Sequence, residues 1–175
     1  LEPLALRLLE PTDLDPEQEA LRYLNPDLGI DSALKALEGA RHILIERFAE
    51  NPQTISALRE RIWNAGILVS TVLSDKASKG AKFSDYFDHQ EPISGVPSHR
   101  ALALLRGRNE EILDLQLLPG KDVEAAHLKG FSTVTHHEGI RLTGQAQASW
   151  LEGCVWKAYK GKILTKITLD LFERL

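Results

Sequence analysis

The residues best suited to chemistry lie within residues 82–117, where acidic and basic side chains are crowded together. Four basic candidates are His99, Arg100, Arg106 and Arg108. Because the planar guanidinium group matches the oxygens of a phosphate, these side chains predict a phosphate-binding face. The alternative is a solvated or ion-paired surface, with the last two arginines at a helix C-terminus where the helix dipole favours cations.

A short helix is predicted to position these basic side chains. Pro97 favours an extended backbone before it, and the Ser98 hydroxyl is suited to cap its first turn. Gly107 is suited to end the helix because glycine tolerates positive φ. The predicted apolar stripe, at helical spacing, consists of Ala101, Leu102 and Leu105.

An aromatic and acidic segment precedes this helix, and it contains Phe83, Asp85, Tyr86, Phe87 and Asp88. Its carboxylates, with His89 and Glu91, could suggest acid–base chemistry. Asp and His are also common in turns for conformational reasons, which favours a structural role. We expect the aromatic side chains to be buried, and Asp85 or Asp88 to pair with an arginine of the following helix.

No catalytic motif accompanies these residues. The sequence has no nucleophile elbow, phosphate loop or paired-cysteine site. His136, His137 and Glu138, with His127, could form a metal site, but adjacent histidines on a strand point apart and a polar loop is the alternative. We therefore predict a protein that is not an enzyme, with no catalytic residue, no metal and no cofactor.

Composition limits the class of protein. The chain has 175 residues, of which 43% are apolar and 26% charged, and its formal net charge is −4. This length and composition suit one globular domain or two small ones. The net negative charge argues against nucleic-acid binding over the whole surface. No apolar run is long enough for a membrane helix. Cys154, the single cysteine, is predicted to pack in a core, and a reducing cytoplasm fits.

Helix start signals recur in the N-terminal half. Asp15 and Pro16 predict one start, and Asp31 is predicted to cap a helix that runs to about Glu50. Asn51, followed by a proline, predicts the next helix. This pair of helices permits a DNA-reading helix-turn-helix, but the second helix carries a mixed acidic and basic surface, so a structural hairpin is the simpler interpretation.

The remaining elements predict a mainly α fold. Residues 67–73 fit either a strand or a continuing helix, Leu113, Leu115 and Leu117 alternate as in a strand, and residues 131–135 are strand-like. The chain ends in a long helix whose lysines are either solvated or part of the arginine patch: Lys157, Lys160, Lys162 and Lys166. The predicted fold class is a multi-helix domain with two or three short strands and a long C-terminal helix.

Several runs resemble the Tex family of bacterial transcription accessory proteins. They are residues 36–50, 80–88, 91–93, 96–103 and 106–110. Trp150 and residues 158–160 also look like the family's long helix, with Tyr159 where tryptophan is expected. No resemblance is found between Leu118 and Gln145.

The resemblance implies an internal fragment of a longer protein. Tex proteins have an N-terminal helical region, an RNase-H-like domain, helix-hairpin-helix elements and an OB-fold RNA-binding domain, and this chain looks like the helical region before the RNase-H-like domain. The chain lacks Met and is helical to its last residue, which fits a fragment. The predicted segments are the end of the N-terminal helical region (1–30), a central helical domain (31–118), a variable insert (119–145) and a long helix (146–175).

The resemblance also implies a function. The leading hypothesis is a cytoplasmic, transcription-related protein that binds RNA or DNA through His99, Arg100, Arg106 and Arg108. Its expected partners are nucleic acid, the transcription machinery and other domains of the same chain, with no membrane. The alternative is a scaffold that positions the missing RNase-H-like and OB-fold domains without binding nucleic acid itself, and a metal-dependent hydrolase is a more distant possibility.

Overall fold

Helices separated by short turns, with one small sheet, make up the computed structural model, which describes residues 1–73 and 75–175. The helices are α1 (Glu2–Leu9), α2 (Pro16–Ala20), α3 (Ala33–Glu50), α4 (Pro52–Ala65), α5 (Ser98–Asn109), α6 (Val123–Glu138), α7 (Ala148–Ala158) and α8 (Leu164–Arg174). The strands are β1 (Ile67–Val72), β2 (Asp88–Pro92) and β3 (Leu113–Leu118). The predicted fold class, mainly α with a small β element, is confirmed.

Side-chain caps determine where three helices begin. The Asp15 carboxylate accepts hydrogen bonds from free N–H groups at the start of α2, and Asn51 does the same for α4, as the sequence predicts. The predicted cap of α3, Asp31, is wrong. Ser32 caps α3 by accepting from the Lys35 N–H at 3.2 Å, while Asp31 forms an exposed ion pair with Lys35.

The sheet is antiparallel, with strand order β2-β1-β3. Of the two alternatives for residues 67–73, the structure shows a strand, β1. β3 forms where the alternating leucines from Leu113 predict it. Ile67 lies opposite Pro92 on one side and opposite Leu118 on the other. Leu68 is fully buried, whereas Thr71, three residues further along, is exposed, so the sheet has one face on the core and one face away from it.

Residues 131–135 do not form the predicted strand. They lie within α6, which is helical from Val123 to Glu138. The local β-branched composition favours a strand only weakly, because β propensity depends on packing. In the structure α6 packs against the C-terminal helix there, and Gly130 approaches Tyr159 so closely that a Cβ atom would lie 2.3 Å from its ring.

The long C-terminal helix is interrupted by a π-helical turn. The turn comprises Tyr159–Ile163 and joins α7 directly to α8. Its first and last residues are both buried. The turn adds a residue to the helical repeat, which changes the direction of the side chains that follow it.

The chain divides into two compact units, each assembled from two stretches of sequence. The first unit comprises residues Leu1–Ser56 and Gly130–Lys166, and the second comprises Ala57–Lys129 and Ile167–Leu175. The core of the first unit includes Leu4, Leu8, Leu44, Phe48, Leu151, Cys154 and Tyr159. The core of the second includes Leu58, Ile62, Leu68, Phe83, Leu104, Leu113, Ile167 and Leu171.

Candidate nucleic-acid interface

The arginine helix α5 lies in the second unit and buries a different face from the predicted one. Its buried residues are Ala101, Leu104 and Gly107, whereas Leu102 is 70% exposed. The predicted stripe was wrong because residues 101, 104 and 107 also recur at helical spacing. The choice of buried face determines which basic side chains of α5 reach solvent.

Both predicted end signals of α5 are also wrong. Pro97 occupies the cap position, and no side chain bonds there. Gly107 lies inside the helix, which continues to Asn109. The positive φ that ends the helix belongs to Glu111 at 59°. Gly107 serves packing instead, since a Cβ atom there would lie 2.4 Å from Leu113 Cδ1.

Arg100 is held by a carboxylate of the sheet. Its Nε lies 2.8 Å from Glu91 Oε2, and the two side chains are 36% and 11% exposed. The N–H direction is not aligned as a hydrogen bond, so the contact is an ion pair. His89 Nε2 donates to the same Glu91 oxygen, and its ring meets the edge of Tyr86. The sequence predicted the arginine pairing but named Asp85 or Asp88 as its partner.

The predicted acidic partners are both exposed. Neither Asp85 nor Asp88 forms an ion pair within residues 1–73 and 75–175. Of the three aromatic residues, Phe83 is buried, while Tyr86 and Phe87 are half-buried. Side chains alternate along β2, which explains why Glu91, two residues after His89, shares its face.

Arg106 belongs to a separate and more exposed group. Its Nε lies 3.0 Å from Glu110 Oε2, and Lys82 Nζ lies 2.9 Å from Glu110 Oε1. The hydrogen bond from Lys82, reinforced by Arg106, lowers the pKa of the Glu110 carboxyl. Two cations therefore share one carboxylate, and Arg106 itself is 69% exposed.

The four predicted basic residues do not share one surface. Arg108 is half-buried, and its guanidinium lies 5.3 Å from the centroid of the Phe172 ring. His99 is exposed and lies two turns before Arg106 on the same side of the helix. The structure therefore brings His99 and Arg106 together, whereas Arg100 and Arg108 point towards neighbours within the unit.

The contacts of the α4 side chains argue against the helix-turn-helix hypothesis. Arg59 Nη2 lies 2.8 Å from Asp170 Oδ2, and Glu60 pairs with Arg174. Arg174 also lies over the Trp63 ring at 4.2 Å. These side chains contact α8, so they are not directed outward as base-reading side chains would be.

The proposed metal ligands near residue 138 have other partners. Glu138 accepts from Asn51 Nδ2 at 2.6 Å and from Arg47 Nε at 3.1 Å. His137 Nδ1 lies 3.1 Å from Thr54 Oγ1. Across residues 1–73 and 75–175, no three His, Cys, Asp or Glu side chains are grouped to hold a metal ion. This cluster ties the end of α6 to the cap of α4 within the first unit.

The C-terminal helix contains the other basic group. Lys160 lies over the Trp156 ring at 5.1 Å, and that ring packs against Phe131 at 4.6 Å. Lys162 pairs with Glu46 of α3. Cys154 of the same helix is fully buried, and burial raises the pKa of its thiol to about 11. The predicted core role of Cys154 is confirmed.

No helix in the described part of the chain is long and apolar enough to cross a membrane.

Comparison with known proteins places this architecture in a family. The profile described as Tex central region-like matches residues 11–175, including the part of the chain where the sequence analysis finds no resemblance. Protein YhgF of Escherichia coli is 42% identical over 98% of this chain and 22% of its own length. Protein tex of Bordetella pertussis is 40% identical over 100% of this chain and 23% of its own.

A third relative, transcriptional accessory protein Tex of Neisseria gonorrhoeae, is 39% identical, again over the whole chain and 23% of its own length. The chain therefore belongs to the Tex family and corresponds to its central region, as the resemblance implied. It spans less than a quarter of the length of these curated relatives.

Proposed function

We propose that this chain is a non-catalytic part of a transcription accessory protein and that its arginine helix supports the fold. One observation carries the proposal: each arginine of α5 already has a partner within the same unit. Arg100 pairs with Glu91, Arg106 with Glu110, and Arg108 lies over Phe172. A phosphate group would have to displace these partners before it could be bound.

The ion pair between Arg100 and Glu91 gives this proposal its strongest support. Glu91 is only 11% exposed, and removing one partner of a buried pair leaves an uncompensated charge. Arg100 is therefore suited to orient α5 against the sheet. In this role the chain supports other segments of a protein that, in its relatives, is more than four times as long.

Direct binding of RNA or DNA through α5 is the second candidate. His99 is exposed, and Arg106 is 69% exposed. An ion pair at such exposure adds little stability because solvent screens it, so a nucleic-acid phosphate could replace Glu110. On this hypothesis the interface is smaller than predicted and uses His99 and Arg106, without Arg100 and Arg108.

Binding measurements with two arginine variants separate the candidates. Labelled single-stranded RNA and double-stranded DNA are titrated across a salt series with the wild-type chain, with Arg106→Ala and with the Arg100/Arg106/Arg108→Ala triple variant. A supporting role predicts a lower melting temperature for the triple variant and unchanged binding by Arg106→Ala. Loss of salt-dependent binding in Arg106→Ala would replace the first candidate by the second.

A further inference from the structure

Exposed leucines are concentrated in one short segment of the first unit. Eight large apolar side chains among the described residues are exposed, and four of them lie between Leu21 and Leu34. Leu28 is 74% exposed, more than any other of the eight. Exposed leucines that are scattered singly need no explanation, but several within a few residues indicate a contact surface.

Helix geometry places two of these leucines on one face. Helix α2 continues into a 3₁₀ turn at Leu21–Tyr23, so Glu17, Leu21 and Leu24 follow one another at helical spacing. All three side chains are exposed, whereas Glu19, on the opposite side of α2, is buried. The face that α2 turns away from the core therefore carries a carboxylate followed by two leucines.

A hydrogen-bonded loop holds Leu28 next to this face. The backbones of Asn25 and Ile30 exchange two hydrogen bonds, of 2.8 Å and 3.0 Å, and the Leu28 N–H donates to the Asn25 carbonyl at 3.0 Å. Gly29 adopts the positive φ, 81°, with which the loop turns back. Such a turn keeps the Leu28 Cα within about 7 Å of the Cα of Asn25, the residue after Leu24. Because the loop is already fixed in the free chain, binding of a partner would cost it little conformational freedom.

Unpaired carboxylates accompany the exposed leucines. Residues 11–38 contain seven Asp and Glu residues but only two basic residues, and both basic residues already pair with carboxylates of the same segment. In the part of the chain that the structure describes, Glu17 and Asp27 are exposed and form no ion pair. We call these two carboxylates and the three leucines the leucine patch: Glu17, Leu21, Leu24, Asp27 and Leu28.

The charge of the leucine patch determines the kind of partner that fits it. Its negative charges repel nucleic acid and an anionic membrane surface. A second copy of the chain that docked through the same patch would bring like charges together, because such an interface is self-complementary. The partner that fits is a protein segment with an apolar side and neighbouring lysine or arginine residues, as in a basic amphipathic helix.

We propose that the leucine patch docks a basic amphipathic helix of another protein. The three leucines contact the apolar side of that helix, and burial of this apolar surface supplies most of the affinity. Glu17 and Asp27 pair with its basic side chains and set its orientation. This surface goes beyond the proposed function, since neither candidate above assigns a role to residues 17–28, and it does not depend on α5.

The test uses synthetic helical peptides of defined charge. The probe is a labelled peptide of leucine and lysine with all its leucines on one side. A peptide of leucine and glutamate in the same pattern and a peptide of lysine alone are the comparisons. Binding to the wild-type chain is measured by fluorescence anisotropy. We expect the leucine–lysine peptide to bind, the lysine peptide to bind about tenfold more weakly, and the leucine–glutamate peptide not to bind.

A matched pair of variants tests the apolar part of the leucine patch. Leu24/Leu28→Ser removes two of its leucines, and Leu128/Leu169→Ser removes two leucines that are exposed elsewhere. We expect the first variant to bind the leucine–lysine peptide about tenfold more weakly than the wild type does, with the second close to wild type. Circular dichroism and melting temperature establish that each variant is folded. If Leu24/Leu28→Ser does not fold, Leu28→Ser alone takes its place, because this position is the more exposed.

A second pair tests the carboxylates. Glu17→Gln combined with Asp27→Asn neutralises the leucine patch, and Glu152→Gln combined with Glu173→Gln removes two charges that are exposed elsewhere. We expect the first double variant to weaken binding at low salt and to flatten its salt dependence, because salt screens exposed ion pairs. The control is expected to keep the wild-type salt dependence.

Four results would overturn the proposal. The first is a wild-type chain that does not bind the leucine–lysine peptide, and the second is an equal loss in the two leucine variants. The third is a lysine peptide that binds as tightly as the leucine–lysine peptide, which would indicate attraction by charge alone. The fourth is a wild-type dimer in analytical ultracentrifugation that Leu28→Ser dissociates, which would identify a second copy of the chain as the occupant.

Discussion

The arginines of α5 and the lysines of the C-terminal helix lie in different surroundings. The lysines are Lys157, Lys160, Lys162 and Lys166. On α5, Arg100 and Arg106 each lie beside a carboxylate from within their own unit. Among the four lysines of residues 157–166, only Lys162 has such a partner in the described part of the chain. The density of basic residues in a sequence therefore does not measure how much positive charge is available to a ligand.

The difference follows from where the acidic residues lie. Residues 82–117 contain four Lys and Arg residues and six carboxylates, so carboxylates are available for pairing within the unit. Residues 153–169 contain no carboxylate, and the partner of Lys162 comes from another helix, Glu46 of α3. A surface is available for phosphate where such pairing is incomplete.

The largest expected effect concerns the packing of the lysine-bearing C-terminal helix against α6. Gly130→Ala places a Cβ atom 2.3 Å from the buried ring of Tyr159, and overpacking of this kind costs about 3 kcal/mol. We expect the free energy of unfolding in urea to fall by that amount. Gly153→Ala is the control, because no atom lies within 4 Å of its new Cβ and alanine favours helix. Equal losses in both variants would contradict the close-packing account.

The next effect is expected at the ion pair between Arg100 of α5 and Glu91. Glu91→Ala removes the carboxylate that contacts both Arg100 and His89, and we expect a loss of about 2 kcal/mol in the free energy of unfolding. Asp88→Ala is the matched control on the same strand, since its side chain is exposed and is expected to change stability little. A larger loss of stability in Asp88→Ala than in Glu91→Ala would indicate that Asp88 pairs with an arginine of α5, as the sequence suggested.

An effect that is limited to alkaline pH concerns a buried residue of the C-terminal helix. Burial raises the pKa of the Cys154 thiol from about 9 to about 11. Because the unfolded chain ionises first, Cys154 stabilises the fold fully below pH 9 and this contribution is lost as the pH rises towards 11, by at most about 1.4 kcal/mol per pH unit. Cys154→Ala should lack this part of the pH dependence in urea unfolding. A thiol that reacts with iodoacetamide at pH 8 without unfolding would contradict it.

The smallest effect is expected at Glu110. Its pKa is lowered by Lys82 and then by Arg106, so its stabilising contribution is present above its unfolded pKa and is lost as the pH falls through the lowered value. The carboxylate is solvent-exposed, and Glu110→Gln should leave the melting temperature within experimental error. The same variant frees Arg106. A steeper salt dependence of RNA binding by Glu110→Gln would show that α5 reaches phosphate and would weaken the contrast between the two regions.

The sequence predicted elements where one local signal dominates. The caps at Asp15 and Asn51 and the alternation that starts at Leu113 each depend on neighbouring residues only, and the structure confirms them. The predicted segments 1–30, 31–118, 119–145 and 146–175 stay a prediction. The two packed units are each assembled from separated stretches, and such packing leaves no mark in local composition.

The missed features depend on contacts between elements. Two helical stripes of α5 were compatible with the sequence, and contact with Leu113 and Phe83 selects the one that includes Gly107. The acidic partner of Arg100 is Glu91 because the strand places that side chain beside it. Nothing in the linear order of Asp85, Asp88 and Glu91 distinguishes the three carboxylates.

The sequence by itself determined the family resemblance, the mainly α class and the positions of the basic residues along the chain. Only the tertiary structure decided which of those charges are neutralised. The physical reason is that ion pairing depends on distance through space, and the partners come from separate elements: Lys82 and Glu110 are 28 positions apart, and Glu46 and Lys162 are 116 apart. Folding therefore gives the arginines of α5 partners within their unit and leaves the lysines of residues 157–166 exposed to solvent.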